Sequence, residues 1–371
     1  MAGGETGLDL YTQDRIRRTA AAAQSSSTRR AYASAWRRFR NWCDLHTYTS
    51  LPAHPEVIAA YLVDAADTLT SDGERAYAPS TLDKWISAIN DAHRCAGLGT
   101  PTRHETVRTT LAGIRREYAA AGERPRVPRA PLLTDDVMAI VSAARAQVRD
   151  WSDEVGERRD TALMLMGFAG AFRRSELVAL TGADVALHPL DGLHVHIRRS
   201  KTDQEGHGRV HGLPRAEDAS RCPPCAYVRW AQVVAASNSG GRRAVIAALT
   251  GSTTDFTEHL CAGPQAPRVG ETSAIFRAID RHGTIASAAI SGAAVHAAIR
   301  RRAIRAGYGA DAVSRMGAHS LRAGFVTQAF RNGADAHAIM RQTNHRTPAM
   351  VERYAREEAP LVGNAVTSLG L

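Results

Sequence analysis

The chain has 371 residues, of which 44% are hydrophobic and 23% charged, a composition typical of a folded protein long enough for two domains. Lysine and arginine number 47 against 37 acidic residues, and the net charge of +10 favours a partner with a phosphate backbone. No signal peptide is recognised, and no apolar run approaches the roughly 18 residues of a membrane span, so the sequence predicts a cytoplasmic protein.

The N-terminal third shows only helical patterns. Residues 1–26 are polar and rich in alanine and serine, which predicts a disordered or flexible arm. Residues 27–122 contain four amphipathic patterns and no strand pattern, which predicts a small helical bundle. In the first of these helices, Tyr32, Trp36 and Phe39 share an apolar stripe, and the arginines lie mostly off it. Those arginines fit a solvated face and a DNA-backbone contact equally well.

A basic, proline-rich segment, residues 123–131, follows the bundle. Neither a helix nor a strand continues through its three prolines, so it predicts an interdomain linker. The residues predicted to contact DNA lie in the bundle, in this linker and in one later loop. They are Arg29, Arg30, Arg37, Arg38, Arg40, Lys84, Arg124, Arg126, Arg129 and Arg199.

Residues 132–371 predict a second, mixed and mainly helical domain. The strings "LHVHIRRS" and "RVHGLPR" alternate with a period of two residues around a glycine-containing loop, which predicts a β-hairpin. Residues 237–272 contain many helix breakers and predict a surface insertion. The apolar tail, residues 359–371, is expected either to pack on its own domain or to dock on a second protomer.

The five cysteines are scattered and odd in number, which does not predict a disulfide framework. Cys222 and Cys225 have the C-x-x-C spacing of zinc ligands, but no second pair follows at a usual spacing. The two prolines between them more simply predict a turn into a helix. The sequence therefore predicts no metal site.

Several polar residues of the second domain stand at positions suited to an anion. His319 and Arg322 are three residues apart on one helix face, either a solvated helix start or a pair that converges on one small group. Arg173 stands at the start of a helix, where backbone N–H groups attract anions. Glu176 lies on the same face and either orients a basic group or caps the turn.

Two further residues allow a chemical or a plain interpretation. Lys201 stands at the predicted hairpin tip, as a solvated lysine or as a mobile proton donor. Tyr354 follows His345 by nine positions and is either a core residue or a nucleophile activated by surrounding positive charge.

Taken in chain order, these residues resemble the catalytic signature of the tyrosine recombinases, also called the phage integrase family. "FRRSEL" resembles the first arginine box of that family, "SKT" its hairpin lysine, "HSLR" its HxxR box, and "NH" with "RY" its third basic residue and nucleophile. The resemblance rests on the order and spacing of the whole set and covers most of the chain. Two features depart from the pattern: "TNH" replaces the usual "LGH", and residues 237–272 have no counterpart.

The resemblance, closest to Cre-like and Xer-like members, implies a mainly α fold with a small β-sheet. An N-terminal helical core-binding (SAM-like) bundle and a C-terminal mixed α/β catalytic domain would form a C-shaped clamp on DNA. The implied partner is double-stranded DNA with short inverted repeats. The chain would be monomeric or weakly associated alone and tetrameric on two DNA sites. No cofactor, ATP or metal is implied.

The resemblance also implies a role for each residue of the set. Tyr354 attacks a DNA phosphate and forms a 3′-phosphotyrosine, on the way to a Holliday junction. Arg173, Arg322 and His345 stabilise the charge on the phosphate oxygens. Lys201 protonates the leaving 5′ oxygen, His319 is the base for the tyrosine, and Glu176 orients Lys201 or His319.

Site-specific recombination is the function that the resemblance favours. One alternative is a type IB topoisomerase-like activity, which shares the chemistry but relaxes DNA without pairing two sites. Another is a non-catalytic DNA-binding protein on a recombinase scaffold. The separate helical domain favours recombination over relaxation, and the complete catalytic set argues against an inactive scaffold.

Overall fold

A computed structural model describes residues 9–122, 129–198, 208–250, 256–263, 267–358, 360–362 and 364–369. The chain divides into two compact units, Met1–Val127 and Pro128–Leu371. Each unit has a hydrophobic core of its own. Among the described residues, no helix combines the length and the apolar character that a bilayer crossing requires.

The first unit is helical. Its helices are α1 (Leu10–Ala22), α2 (Ser26–Leu45), α3 (Pro55–Asp67), α4 (Pro79–Cys95) and α5 (Glu105–Ala120). The four helices predicted for residues 27–122 are confirmed as α2 to α5. Phe39 of the predicted apolar stripe is fully buried, and Tyr32 and Trp36 pack half-buried against the same core.

Helix α1 lies within the arm that was expected to be disordered or flexible. Asp9 accepts a hydrogen bond from the backbone N–H of Thr12 at 2.6 Å, and Arg18 pairs with Asp14 one turn away. Such contacts favour a helix, and so does the alanine content of this stretch. The prediction gave weight to the polar composition and too little to these local helix signals.

The second unit contains nine helices and five strands among its described residues. The helices are α6 (Thr134–Ala146), α7 (Trp151–Ala169), α8 (Arg174–Ala179), α9 (Pro223–Thr250), α10 (Gly292–Arg305), α11 (Ala310–Arg315), α12 (Ala318–Arg331), α13 (Ala336–Thr343) and α14 (Pro348–Glu358). The strands are β1 (Val185–His188), β2 (Gly192–Ile197), β3 (Arg209–Leu213), β4 (Arg277–Ile279) and β5 (Ile285–Ala289).

The strands form two small antiparallel sheets. β1, β2 and β3 lie in that order, with Val195 opposite Val185 on one side and His211 on the other. The predicted hairpin is confirmed as β2 and β3. Its loop, residues 199–207, lies outside the described residues, and Arg199 and Lys201 lie there with it. β4 and β5 form the second sheet.

Helix α7 lies at the centre of the second unit, in contact with α6, α9 and α12. After its half-buried first turn most of its residues are buried, including the charged residues 157–160. Asp160 accepts hydrogen bonds from Arg159 at 2.7 Å and from Arg302 of α10 at 2.8 Å. Because buried charges require partners, these contacts fix α7 against α10. The C-terminal end of α7 leads directly into Arg173.

Several described residues of the range 237–272 are buried in this core, whereas the sequence predicts a surface insertion there. Helix α9 continues to Thr250 across a kink at Gly240 and Gly241, and it buries Val245 and Leu249. Cys261 is fully buried as well. The glycine pair was interpreted as a helix breaker, but glycine tolerates the unusual φ of a kink without ending the segment.

In the described part of the apolar tail, one apolar side chain packs on the second unit and two others are exposed. Val362 packs against the cluster formed by α12, α13 and α14. Leu361 and Leu369 remain 64% and 66% exposed. The tail therefore touches its own unit and still presents apolar side chains outward.

Candidate active site

Arg322, on α12, lies at the centre of the site and is 3% exposed. Its guanidinium donates to the carbonyl of Ala171 at 2.7 Å and to the carbonyl of Thr343, and one N–H lies 3.1 Å from Nε2 of His345. Burial and the neighbouring Arg173 lower the pKa of Arg322 to about 10. The guanidinium therefore stays charged at neutral pH. Its hydrogen bonds join the turn at Ala171 to the end of α13 at Thr343.

Arg173 is held by Glu176. The buried carboxylate of Glu176 accepts from the backbone N–H of Arg173 at 2.8 Å and from its guanidinium at 2.8 Å. The guanidinium also donates to the carbonyl of Asn344 at 3.3 Å. Glu176 was expected to orient Lys201 or His319. Among the described residues its carboxylate orients Arg173 instead, because the α8 turn brings the two side chains together.

His345 is buried, and its hydrogen bonds define its neutral form. Nε2 faces the N–H of Arg322, and Nδ1 lies 2.8 Å from the hydroxyl of Thr343, which itself donates to the carbonyl of Ile339 at 2.9 Å. A neutral imidazole in this arrangement carries its proton on Nδ1. Burial, Arg322 and Arg173 lower the pKa of His345 to about 4.

Asn344 ends helix α13 in the left-handed conformation, with φ 54° and ψ 42°. Glycine usually occupies such a position, and asparagine tolerates it better than most residues. The turn that follows directs the Asn344 carbonyl to Arg173 and places His345 beside Arg322. The change from "LGH" to "TNH" therefore keeps a left-handed helix end.

Tyr354, on α14, is half-buried, and its hydroxyl lies 3.2 Å from Nε2 of His319. Burial lowers the pKa of His319, and the positive charges of Arg322, Arg129 and Arg173 lower it further. His319 is therefore neutral at pH 7 and can accept the proton of a phenol.

Six of the seven predicted catalytic residues thus lie close together in the second unit, and the seventh, Lys201, lies outside the described residues. The six are Arg173, Glu176, His319, Arg322, His345 and Tyr354. A cleft of about 230 Å³ adjoins them, lined by Arg129, Arg173, Arg174 and His319 among others. The cleft is basic and suits an anion.

The residues predicted to contact DNA fall into three groups. Arg29, Arg30, Arg37, Arg40 and Lys84 are exposed on the first unit, and Arg129 is exposed on the second. Arg38 lies 4.5 Å from the ring of Tyr77 and 4.7 Å from that of Trp85, so it also packs on aromatic rings of its own unit. Arg124, Arg126 and Arg199 lie outside the described residues.

His211 of β3 lies near Glu176 and Arg322 but was not predicted from the sequence as a neighbour of the site. This residue is 6% exposed, lies 5.2 Å from the ring of Phe172, and has a pKa lowered by burial. Its position in the strand alternation, in step with Leu213, was the available signal. The carbonyl of Ala171 was missed too, and no side-chain pattern could have indicated it.

Comparison with known proteins agrees with this fold. The sequence profile of the Phage integrase family matches residues 280–359. The integrase/recombinase XerD homolog of Selenomonas ruminantium is 29% identical over 365 residues, which cover 98% of this chain and 89% of that protein. Recombinase Cre of Escherichia phage P1 is 26% identical over 180 residues, or 48% of this chain and 49% of Cre.

Among solved structures, the Tn1549 transposon integrase in complex with transposon right end DNA superposes with a TM-score of 0.57 at 12% identity, covering 97% of this chain and 98% of that one. The fold is that of the tyrosine recombinases. The chain is similar to recombinases of the phage integrase family over nearly its whole length, and this similarity identifies it as an enzyme that breaks and rejoins DNA strands.

Proposed function

We propose that this protein is a site-specific recombinase in which Tyr354 forms a 3′-phosphotyrosine with the cleaved DNA strand. The observation that carries the proposal is the contact of 3.2 Å between the Tyr354 hydroxyl and His319, beside the buried Arg322. A phenol with a neutral base at hydrogen-bond distance and cations around it is an activated nucleophile.

Strand cleavage then follows as a substitution at phosphorus. The Tyr354 oxygen bonds to the phosphorus atom, His319 takes the phenol proton, and the bond to the 5′ oxygen breaks. Lys201 supplies the proton to that oxygen, a role inferred from its place between β2 and β3 in the sequence. Attack by the 5′-hydroxyl of a second strand reverses these steps and releases Tyr354, so the phosphodiester energy is kept and no ATP is needed.

The two arginines and His345 stabilise the phosphate as its charge grows. The guanidinium groups of Arg173 and Arg322 are fixed by backbone and carboxylate contacts before DNA binds, so little reorganisation is needed. In the free protein, Nε2 of His345 accepts from Arg322. A bound phosphate would raise the pKa of His345, and the protonated ring would then donate to a phosphate oxygen. Fixed cations at these positions make a catalytic metal unnecessary.

The first unit supplies the wider DNA contact in this proposal. The exposed arginines of α2 support a backbone-binding role for residues 27–122, with 123–131 as linker and 132–371 as catalytic domain. The structural neighbour in complex with transposon right end DNA supports DNA as the partner. We further propose short inverted repeats as the target, a tetramer on two sites, and association with the nucleoid for a protein of bacterial, phage or plasmid origin. The exposed Leu361 and Leu369 support tail docking between protomers.

A covalent-capture assay tests the chemistry. The protein is mixed with nicked duplexes that include the flanks of its own gene, without added divalent metal, and is quenched in detergent. Wild type is expected to form protein-linked strands, and Tyr354→Phe is expected to bind DNA and form none. Tyr308→Phe is the matched control, since Tyr308 bonds to Asp136 and not to His319, and it should still form the adduct.

DNA retained before detergent with no linked strand from wild type would contradict catalysis and favour the DNA-binding alternative. The captured ends also define the site. A plasmid with two captured sites then separates the remaining alternatives. A recombinase yields excised or inverted products, whereas a topoisomerase-like enzyme yields only relaxed plasmid.

A further inference from the structure

Four metal-ligating side chains meet in the second unit, and none of them belongs to the candidate active site. Cys222 and Cys225 stand at the start of α9, and His259 and Cys261 stand at a short turn that follows it. All three cysteines are buried: Cys222 and Cys261 are at most 1% exposed, and Cys225 is 3% exposed. Their ligand atoms all lie within 4.8 Å of one another.

The distances fit the edges of a metal-centred tetrahedron. Sγ of Cys261 lies 3.8 Å from Sγ of Cys222 and 3.5 Å from Sγ of Cys225, and Nδ1 of His259 lies 3.4 Å and 3.8 Å from Sγ of Cys225 and Cys261. Zinc bonds of about 2.3 Å to sulfur and about 2.0 Å to nitrogen give edges of about 3.8 Å and 3.5 Å. A disulfide would require about 2.05 Å between two sulfurs.

We propose that Cys222, Cys225, His259 and Cys261 hold a structural Zn²⁺ ion. Three thiolates and one imidazole are soft ligands that select zinc over hard cations. Four protein ligands close a tetrahedral site and leave no position for a substrate, so the ion has a structural role.

The surroundings of the cluster support this assignment. Nε2 of His259 lies 3.3 Å from the carbonyl of Glu217, and a proton placed there leaves Nδ1 free to bind a metal. Arg215 donates to the carbonyl of Cys261 at 3.0 Å. The guanidinium groups of half-buried Arg145 and buried Arg229 lie 3.9 Å and 4.1 Å from the ring centroid of Phe256. These cations suit a zinc centre whose three thiolates leave it with one net negative charge.

The ion would join distant parts of the chain, since Cys225 and His259 are 34 positions apart. It would fix the turn at residues 259–261 to the start of α9. Helix α9 packs along α7, and α7 leads into Arg173. Zinc would therefore stabilise the scaffold of the active site without taking part in the reaction.

The full chain is expressed in medium that contains zinc, purified without a chelator and desalted. Its metal content is then measured. Wild type should hold about one zinc ion per chain by elemental mass spectrometry. Cys225→Ser and His259→Ala should lose most of it, and His259→Cys should retain it, because four thiolates also bind zinc. Cys95→Ser is the matched control, since Cys95 is exposed and outside the cluster, and it should match wild type.

A second measurement does not depend on variants that fold. Wild type reconstituted with Co²⁺ should show the visible absorption and the thiolate charge-transfer bands of a tetrahedral site. The proposal is overturned if wild type contains almost no zinc and its cobalt form shows no such bands. A mass lower by two hydrogens, with two fewer thiols, would also overturn it and assign a disulfide. These outcomes are independent of DNA cleavage, because they require no DNA.

Discussion

At the scale of single residues, the arginines of the candidate site are held in place by neighbouring acceptor groups. Glu176 is buried, and its only described ion-pair partner is Arg173. The contact is both a helix cap and a clamp on the guanidinium. A charged hydrogen bond of this kind stabilises a group more than a neutral one does. Glu176 therefore sets the orientation of the Arg173 guanidinium and, in the proposed mechanism, does not itself contact the phosphate.

Glu176→Gln should therefore slow covalent adduct formation about 10- to 100-fold, the equivalent of losing about 1.5–3 kcal/mol from one charged hydrogen bond. DNA retention should stay near wild type. Single-turnover capture at saturating protein measures the rate. The control is Glu154→Gln, whose carboxylate also binds an arginine, Arg158, but away from the site. Equal losses in both variants would argue against a clamp specific to Arg173.

The buried histidines make the stability of the free protein depend on pH. The pKa of His345 is about 4 when folded, against about 6.5 for an unperturbed histidine. Between these values the unfolded chain binds more protons, so stability is complete above about pH 7 and is lost as the pH falls towards 4. From pH 7.5 to 5, His345 should account for about 2 kcal/mol of that loss.

Urea unfolding at the two pH values measures this effect. His345→Gln should flatten the dependence, although His319 and His211, whose pKa values are also lowered, keep part of it. An unchanged dependence in His345→Gln would contradict the burial of a neutral ring.

At the scale of secondary-structure elements, α14 carries Tyr354, the proposed nucleophile. Among the described residues, only a small apolar cluster fixes this helix to the rest of the unit. Val351 is fully buried in the small cluster that α12, α13 and α14 share, and Tyr354 packs against the same cluster. Segments with few buried contacts open at lower free energy than the rest of a fold. The position of the Tyr354 hydroxyl therefore depends on how well α14 stays docked.

Val351→Ala should destabilise this docking by about 2 kcal/mol, since it removes buried methyl groups and leaves a cavity. Adduct formation should slow by about an order of magnitude, with less change in DNA binding. Met350→Ala is the control, because Met350 is 45% exposed on the same helix and should cleave like wild type. If both variants cleave normally, α14 is fixed by other contacts.

The elements differ in how far the sequence predicts them. Helices α2 to α5 and the β2–β3 hairpin carry full amphipathic periods, which is why their existence followed from the pattern. Strand β4 spans only three residues, and β5 exposes four of its five, so neither shows the alternation of apolar and polar residues that predicts a strand. The continuation of α9 past Gly240 and Gly241 depends on the burial of Val245 and Leu249 in the core, a tertiary effect with no local signal.

At the scale of the whole molecule, the sequence indicates the candidate site residues but not the backbone groups that hold them. Arg173, His319, Arg322 and Tyr354 stand in an order and spacing that is recognisable in one dimension. The carbonyls that hold Arg322 come from turns far from it in sequence, and folding alone brings them there. His259 and Cys261 meet Cys225 for the same reason, at a spacing that no short motif describes.

The contact between Tyr354 and His319 joins two groups of a single chain. In the proposed mechanism each copy of the protein therefore supplies its own nucleophile, base and two arginines. Mixing Tyr354→Phe with His319→Ala should give no adduct above that of either variant alone, as measured by covalent capture. Restored cleavage would mean that one copy lends its tyrosine to another. Under the proposed mechanism, coordination between copies would act on the whole group of Tyr354, His319 and the arginines at once, because one chain carries all of them.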